Sequence, residues 1–414
     1  MIQHCKGFKD MLPQEMAAFR KVESAFLQAA SGWGYQEVRT PTIEYLYLFT
    51  SAGTLTPGKL RRTYSFLDWD GWSGERVVLR PDATIPVARM YAECLADKPQ
   101  TRLSYIANTF MFDDTGKKNR ERWQLGAEYI GSSSALADAE LVALALEVTE
   151  QLAVPKVRIR LSHSGLIAAL LEQSGFKAEE YNSIFDELLD GNEGAMERVK
   201  EASPQLARLF SLMLTMKGKS AGYLKNLKAL LDETLTGAKC AIDDFVATTE
   251  AIQALGVEYE INLAAAKGYE YYTGIIFHVL SGDEIIGGGG RYDNLISLLG
   301  GKDVPAAGFG LYMDKLIGLS GFRLEESKQA DSIMITNTGN AINRKIEVAR
   351  KLRQAGYSVT LASENQEKIC NRFCITVSDN LLDYVLHDNS TGSRINVPAV
   401  EDLCDILAKG DNLD

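Results

Sequence analysis

Histidine is scarce in this 414-residue chain. The four present, at positions 4, 163, 278 and 387, are too scattered for a histidine-rich metal centre. The six cysteines (5, 94, 240, 370, 374 and 404) show no paired metal-type spacing, and Cys370 with Cys374 alone is a weak signal. Long apolar runs are missing too. Nothing approaches the ~18 residues of a membrane helix, and the opening MIQHCKGFKDMLP lacks the apolar core of a secretory signal. These absences lead us to expect a cytoplasmic protein with reduced thiols, no metal and no membrane contact. Positive charge is in deficit: 44 Lys and Arg face 55 Asp and Glu, a net charge of −11. That balance disfavours a general polyanion binder, and no long basic patch offsets it. Absent as well is a G-x-G-x-x-G turn between strand and helix, which excludes the dinucleotide-binding fingerprint.

The length leads us to expect two or three domains. Residues 14–31 carry apolar side chains at helical spacing (Met16, Phe19, Val22, Phe26, Leu27, Ala30), with Gly32 and Gly34 as a stop. Tyr35–Phe49 reads as extended and interrupted by Pro41. A hairpin follows (Tyr64–Asp68, a turn at Asp70-Gly71, Arg76–Leu79), then a helix from about Asp82. SYIANTFMFDDTGKKNRERWQLGAEYIG, residues 104–131, reads as strand, basic turn and strand, with a helix after it from about Ala135 to Leu152. From about 164 to 256 alternation vanishes and helical patterns dominate, an insertion in a strand-rich domain. Strands return at YEYYTGIIFHVLS and EIIGGGGRYD, and AAGFGLYMDKLIGL reads as strand into helix. A charged linker, 323–330, leads to a separate unit, 331–414. The fold class is therefore α+β: an antiparallel sheet core over 1–322 with a helical insertion, plus a small C-terminal α/β domain.

Five segments can carry chemistry. In LRPDATIPVAR, Asp82 and Thr84 at a helix start suit either an N-cap or a seat for an ammonium group. Gln124 and Glu128, four apart on a strand, share one face, either as a solvated edge or as an amide and carboxylate for an amino acid or imidazole. In KGYEYYTGIIF, Tyr271 and Tyr272 are expected on opposite faces of a strand, one towards a pocket and one in the core. The four glycines of IIGGGGRYDNLI allow close approach of a ligand or of another backbone, or else mark a surface turn. AAGFGLYMDKL is a small-residue strand joined to a helix and means little alone.

In this order the segments resemble the histidyl-tRNA synthetase core, a class II synthetase fold. GFKDMLP (7–13), GYQEVRTPTIE (34–44) and LRPDAT open the likeness; the 104–131 hairpin stands for the second class motif, and the glycine strand and AAGFGLYMDKL follow in place. It covers about 1–163 and 257–320, and the tail looks like a shortened anticodon-binding domain without an obvious basic surface. The resemblance implies that Asp82 and Thr84 hold the α-amino group of histidine. It implies that Gln124 contacts the amino or carboxylate group, and that Glu128, Tyr272 and Tyr292 surround the imidazole. Asp82 is one methylene shorter than the usual Glu.

Where such synthetases grip ATP with arginine, this chain has Met111, Lys118, Lys267 and Lys315. A thioether cannot bind phosphate, and an ammonium cannot reproduce the bidentate guanidinium fork. A kept histidine pocket beside a degenerate ATP site resembles the regulatory subunits of ATP phosphoribosyltransferase, as do RPDAT, Asn108-Thr109-Phe110 and GAEYIG (126–131). That family implies no catalytic residue and no cofactor of its own. It implies a short-form catalytic subunit as partner, histidine as feedback ligand, and a dimer through about residues 34–50; tRNA is not an expected partner. The alternative is a histidine–tRNA ligase or another amino-acid- or RNA-binding paralogue.

Overall fold

The computed structural model describes residues 3–53, 55, 57–69, 74–112, 119–173, 175–177, 180–189, 192–215, 217–266, 271–320, 333–338, 341–362, 372–378 and 383–408. The chain divides into two compact units, 1–323 and 324–414.

The first unit opens with the Pro13–Gly32 helix. Proline sits at its first turn, and the Glu15 carboxylate takes the Leu12 N–H at 3.2 Å, two devices that start a helix. Its apolar face buries Phe19, Val22, Phe26 and Ala30, and Gly34, at φ +80°, turns the chain out of it. The strands of this unit are β1 (Gln36–Glu37), β2 (Ile43–Tyr45), β3 (Ser65–Trp69), β4 (Gly74–Leu79), β5 (Thr101–Phe110), β6 (Glu121–Ile130), β7 (Val157–His163), β8 (Tyr259–Ile261), β9 (Ile275–Ser281), β10 (Glu284–Arg291) and β11 (Ala306–Tyr312). Eight of them form one sheet in the order β1-β5-β6-β11-β10-β9-β7-β8. The six inner strands are antiparallel, and β1 and β8 add in parallel at the edges. β2, β4 and β3 make a small separate sheet.

One expectation is corrected here. Tyr35–Phe49 is not extended throughout: after β2 the chain forms a short helix, Leu46–Ser51. A strand would send neighbouring Leu48 and Phe49 to opposite faces, whereas helical winding lets both join Ala52 in the same core cluster. The turn at Asp70-Gly71 lies outside the described residues. The 164–256 stretch is helical, from Ser164–Glu172 to Thr236–Ala254, and its apolar faces join the core of the main sheet.

The glycine run is inside the sheet, not on a surface turn. Gly287–Gly290 lie in β10 between β9 and β11, and a Cβ on any of them would meet backbone atoms of its neighbours. Close backbone approach is thus the reason for the run.

Arg80 fixes the hairpin strands to the rest of the unit. Its guanidinium, 4% exposed, donates to the carbonyls of Thr40 (2.9 Å), Pro41 (3.1 Å) and Asn108 (2.7 Å), and to Asn108 Oδ1 (2.8 Å). Asn108 in turn donates to Glu121 across the β5–β6 pair at 2.9 Å.

The second unit carries β12 (Ile333–Thr338), β13 (Val359–Leu361), β14 (Phe373–Ser378), β15 (Tyr384–Asp388) and β16 (Arg394–Val397) in the order β13-β12-β14-β15-β16. The Ile342–Gln354 and Val400–Ala408 helices pack on this sheet around Ile333, Val348, Phe373 and Leu403.

Replacing Arg80 by Leu strands three carbonyls at once. Unfolding in urea should shift to lower concentration, with a loss of about 3 kcal/mol or more. Tryptophan fluorescence reads the first unit alone, because Trp33, Trp69, Trp72 and Trp123 all lie in it. An unchanged midpoint would remove Arg80 from this role.

Candidate functional site

Period-two alternation along β6 sends Gln124, Gly126 and Glu128 to one face of the sheet. Opposite them stand positions without side chains: Gly308 pairs with Glu128 and Gly310 with Gly126. A Cβ at 308 would collide with the Glu128 carboxylate, and one at 310 with the Gln124 amide. On the other side Tyr105 of β5 pairs with Gly126, and its ring occupies the space that a Cβ there would need. Bare backbone at Gly126, Gly308 and Gly310 is what lets three large polar side chains lie flat over the sheet.

Glu128 is 1% exposed. Its Oε1 accepts the Tyr105 hydroxyl at 3.1 Å, and its Oε2 accepts the hydroxyl of Tyr292, also 1% exposed. The Tyr105 proton being committed to Glu128, the Thr84 hydroxyl donates to the Tyr105 oxygen at 3.3 Å, and Gln124 Nε2 approaches the same oxygen at 3.5 Å. Burial pushes the Glu128 carboxyl up to about 8, against the pull of the Tyr292 and Thr84 hydroxyls and with the Asp82 charge adding to the rise. Asp82, just before the Thr84–Cys94 helix, accepts the Ile85 N–H at 2.9 Å, and burial raises its pKa too. Asp82 therefore serves as helix cap while also lining the cavity.

The cavity above these groups holds about 230 Å³ and is lined by Asp82, Thr84, Gln124, Tyr271, Tyr272 and Tyr292, among others. The structure thus brings together Asp82, Thr84, Gln124, Glu128, Tyr272 and Tyr292: five line the cavity, and Glu128 lies at its base bonded to Tyr292. The expectation for the tyrosine pair is corrected. Tyr271 and Tyr272 precede β9, which begins at Ile275, so strand alternation does not apply to them. Both line the cavity, their ring centroids 4.8 Å apart, and Tyr271 meets Tyr292 edge-on at 5.9 Å.

Of the four positions matched to the ATP grip, Met111 lines the outer cavity wall just past the end of β5. Lys315 does not line it; its ammonium pairs with Glu284 at the surface. Lys118 and Lys267 lie outside the described residues. Cations also come from other positions: Arg120 and Arg122, of the basic turn and the strand after it, and Arg62, which sequence reading missed, line the same cavity. Arg62 donates to the Phe112 carbonyl at 2.8 Å, and Arg120 lies 5.0 Å from the Phe112 ring centroid. The stem of Arg120 passes over Gly7, where a side chain would collide with it and φ is +84°. Among the described residues no cluster of metal-ligating type is found, and no helix is long and apolar enough to cross a membrane.

Sequence reading also missed Tyr105, the hub of the hydrogen-bond chain. The available signal was Gly126, a residue without a side chain midway between Gln124 and Glu128 on the same face of the strand.

Comparison with known proteins places this geometry in a family. A family model described as histidyl-tRNA synthetase matches residues 7–316. The chain is 48% identical over 377 residues to an ATP phosphoribosyltransferase regulatory subunit of Dehalococcoides mccartyi, covering 91% of this chain and 92% of that one. It is 32% identical to a histidine–tRNA ligase of Archaeoglobus fulgidus, covering 87% and 85%. Among solved structures, a regulatory subunit/histidyl-tRNA synthetase from Bacillus halodurans superposes with TM-score 0.77 at 24% identity over 91% of this chain and 98% of that one. Histidyl-tRNA synthetase from Nostoc does so with TM-score 0.75 at 20% identity over 99% of each chain. The chain belongs to the histidyl-tRNA synthetase family, with its class II α+β fold. Within that family it stands with the ATP phosphoribosyltransferase regulatory subunits.

The raised Glu128 pKa has a consequence for stability. The unfolded carboxyl titrates near its ordinary 4.5 and the folded one near 8, so the folded state holds a proton that the unfolded state has lost. This contribution is complete below 4.5 and disappears as pH climbs through 8. Asp138, raised to about 6 by burial, acts in the same direction over a lower window. Below about pH 6.5 these falls are opposed by His163 and His278, which burial holds down at about 4, so that the unfolded state binds the extra proton there. The thermal midpoint of the ligand-free protein should therefore fall mainly between pH 6.5 and 8, and Glu128→Gln should flatten that fall, where Asp138 no longer contributes. A variant as steep as the parent between pH 6.5 and 8 would show that Glu128 is not buried as a neutral acid.

Proposed function

We propose that this chain is a non-catalytic regulatory subunit that partners a short-form ATP phosphoribosyltransferase catalytic subunit, activates it, and binds histidine as the feedback ligand. The observation that carries the reading is one cavity with two unlike halves. At its base a buried carboxyl is held by two phenols, with an amide, a hydroxyl and a second carboxylate around it. On its outer wall stands Met111. The relatives named as regulatory subunits support the same reading.

In this reading the imidazole of histidine sits against Glu128 with Tyr272 and Tyr292 beside it. Its ammonium faces Asp82 and Thr84, and Gln124 turns to its amino or carboxylate group. A site built to pair polar groups rejects apolar amino acids, because its own donors and acceptors would then go unpaired. Histidine regulates by binding one conformation of the assembly more tightly than another. Self-association uses the 34–50 segment, where Ile43, Tyr45 and Tyr47 are exposed and the two tyrosine rings stack at 5.2 Å. A Tyr45→Asp, Tyr47→Asp double variant should run as a monomer by light scattering; an unchanged mass would move the self-contact elsewhere.

A second reading, a histidine–tRNA ligase, is favoured by Arg62, Arg120 and Arg122 in the cavity lining and by the ligase relatives. Histidine-dependent exchange of pyrophosphate with ATP separates the two. We expect none above background, together with co-purification and stimulation of a short-form phosphoribosyltransferase. Exchange at synthetase rates, or no effect on the phosphoribosyltransferase, overturns the regulatory reading.

Proton linkage gives histidine binding a pH signature. Free imidazole titrates at about 6.5 and Glu128 at about 8. Between these values the empty pocket brings the one proton that the carboxylate–imidazolium pair shares, so affinity should be flat. Above 8 a proton must be taken up, and below 6.5 one must be released, so affinity should fall on both sides. Calorimetry in two buffers of different ionisation enthalpy checks this. Glu128→Gln should weaken binding roughly tenfold to a hundredfold, the range of a lost charged hydrogen bond, and should abolish the alkaline fall.

A further inference from the structure

On the other face of the sheet lies a second hollow, of about 540 Å³. The strand that forms the first cavity also forms this one. Along β10, Gly288 and the following Tyr292 line the first cavity, while Arg291 points the opposite way into the second. The wall across from Arg291 is the Thr236–Ala254 helix, which turns Gly237, Ala241, Asp244 and Thr248 towards the hollow. Small residues at helical spacing leave room there, although room alone defines no site.

The floor supplies the independent observation. His163 lines the hollow and is 4% exposed. Its Nδ1 accepts the Leu166 N–H at 3.0 Å at the start of the Ser164–Glu172 helix, so the ring proton sits on Nε2. Burial and the Arg291 charge hold this histidine down at about 4, which keeps the ring neutral near pH 7. No acceptor among the described residues takes the Nε2–H. That nitrogen is not sealed away from solvent: within an otherwise buried ring it opens on a hollow large enough for a small molecule, where a ligand oxygen can replace water as its acceptor.

The charges around it select the kind of molecule. Arg291 is committed: it donates to Asp138 at 2.7 Å, to Asp293 at 3.0 Å and to the Ser132 carbonyl at 2.9 Å. Asp244, exposed on the rim, makes no ion pair among the described residues. Three carboxylates, Asp138, Asp244 and Asp293, thus face one guanidinium, and the surplus is negative. A zwitterion would bring its own carboxylate into that surplus. A cation whose other polar group is uncharged would not.

We propose that this hollow is a second ligand site, for a small organic cation carrying an uncharged hydrogen-bond acceptor, an amino amide or amino alcohol, with its ammonium on Asp244 and its oxygen on the His163 Nε2–H. The site is independent of histidine binding and stands or falls by itself.

The chain has only four histidines, so protein labelled with ¹⁵N in the imidazole gives four ring systems, and His163→Gln assigns the one needed. The probe is glycinamide, with glycine as zwitterionic control and acetamide as uncharged control. Glycinamide should move the His163 Nε2 resonance saturably while His4 and His387 stay fixed. Asp244→Asn, an exposed change that leaves the fold intact, should weaken glycinamide at least tenfold, and both controls should bind at least tenfold less tightly than glycinamide. A His163 signal that does not move, controls that match glycinamide, or an Asp244→Asn variant that binds as the parent does would each overturn the proposal.

Discussion

A carboxyl group shut away from water governs the architecture of the first unit. Glu128 is tolerable at the centre of a sheet because two phenols supply the hydrogen bonds that water would have given. Each phenol is itself fixed by distant parts of the chain. Tyr105 comes from the neighbouring strand and is braced by Thr84 at a helix start. Tyr292 follows the glycine strand, and its backbone N–H is held by the Ala306 carbonyl at 2.7 Å. Segments far apart in sequence therefore converge on two oxygen atoms. The sheet order, the glycines beneath and the helix start beside the cavity all serve that convergence.

The same cavity changes character over a few ångströms. Its base is a closed network of neutral or shared-proton groups, whereas its mouth holds guanidinium groups anchored by Phe112 and Gly7. Arg62 arrives from the segment before β3, and Arg120 and Arg122 from the β6 start, not from the positions where Met111 and Lys315 stand. Cationic character at the mouth is retained, and the arrangement that would present a forked donor beside Met111 is not.

The antiparallel core, the helical insertion and the tail unit were legible from periodicity, because each presents several consecutive turns or alternations of one pattern. Legibility failed where tertiary packing overrode local pattern. Leu46–Ser51 looked extended because its aromatic and branched residues favour strands, yet burying Leu48 and Phe49 together required a helix. Tyr271 and Tyr272 were assigned to alternating faces because they adjoin a strand-like run, but pairing begins only at Ile275. Among site residues, Glu128 and Gln124 could be placed by spacing alone. Tyr105 could not, since a tyrosine within a strand looks like core until the residue across from it is known to be glycine. Of the arginine rim, Arg120 and Arg122 belong to the basic turn visible in the sequence, whereas Arg62 comes from a segment far from the hairpin and no local pattern marks it.

The layout over bare backbone also sets how the site can change over time. In most pockets the walls are side chains, and volume drifts gradually as one rotamer yields to another. Here the floor is hydrogen-bonded peptide at Gly308 and Gly310, and its height is set by strand pairing that cannot be adjusted by tenths of an ångström. The smallest change available at either position, one methyl group, is already too large for the carboxylate or amide above it. Ligand size tolerance in this protein is therefore stepwise: descendants can keep the pocket or lose it in a single substitution, with few intermediate shapes between.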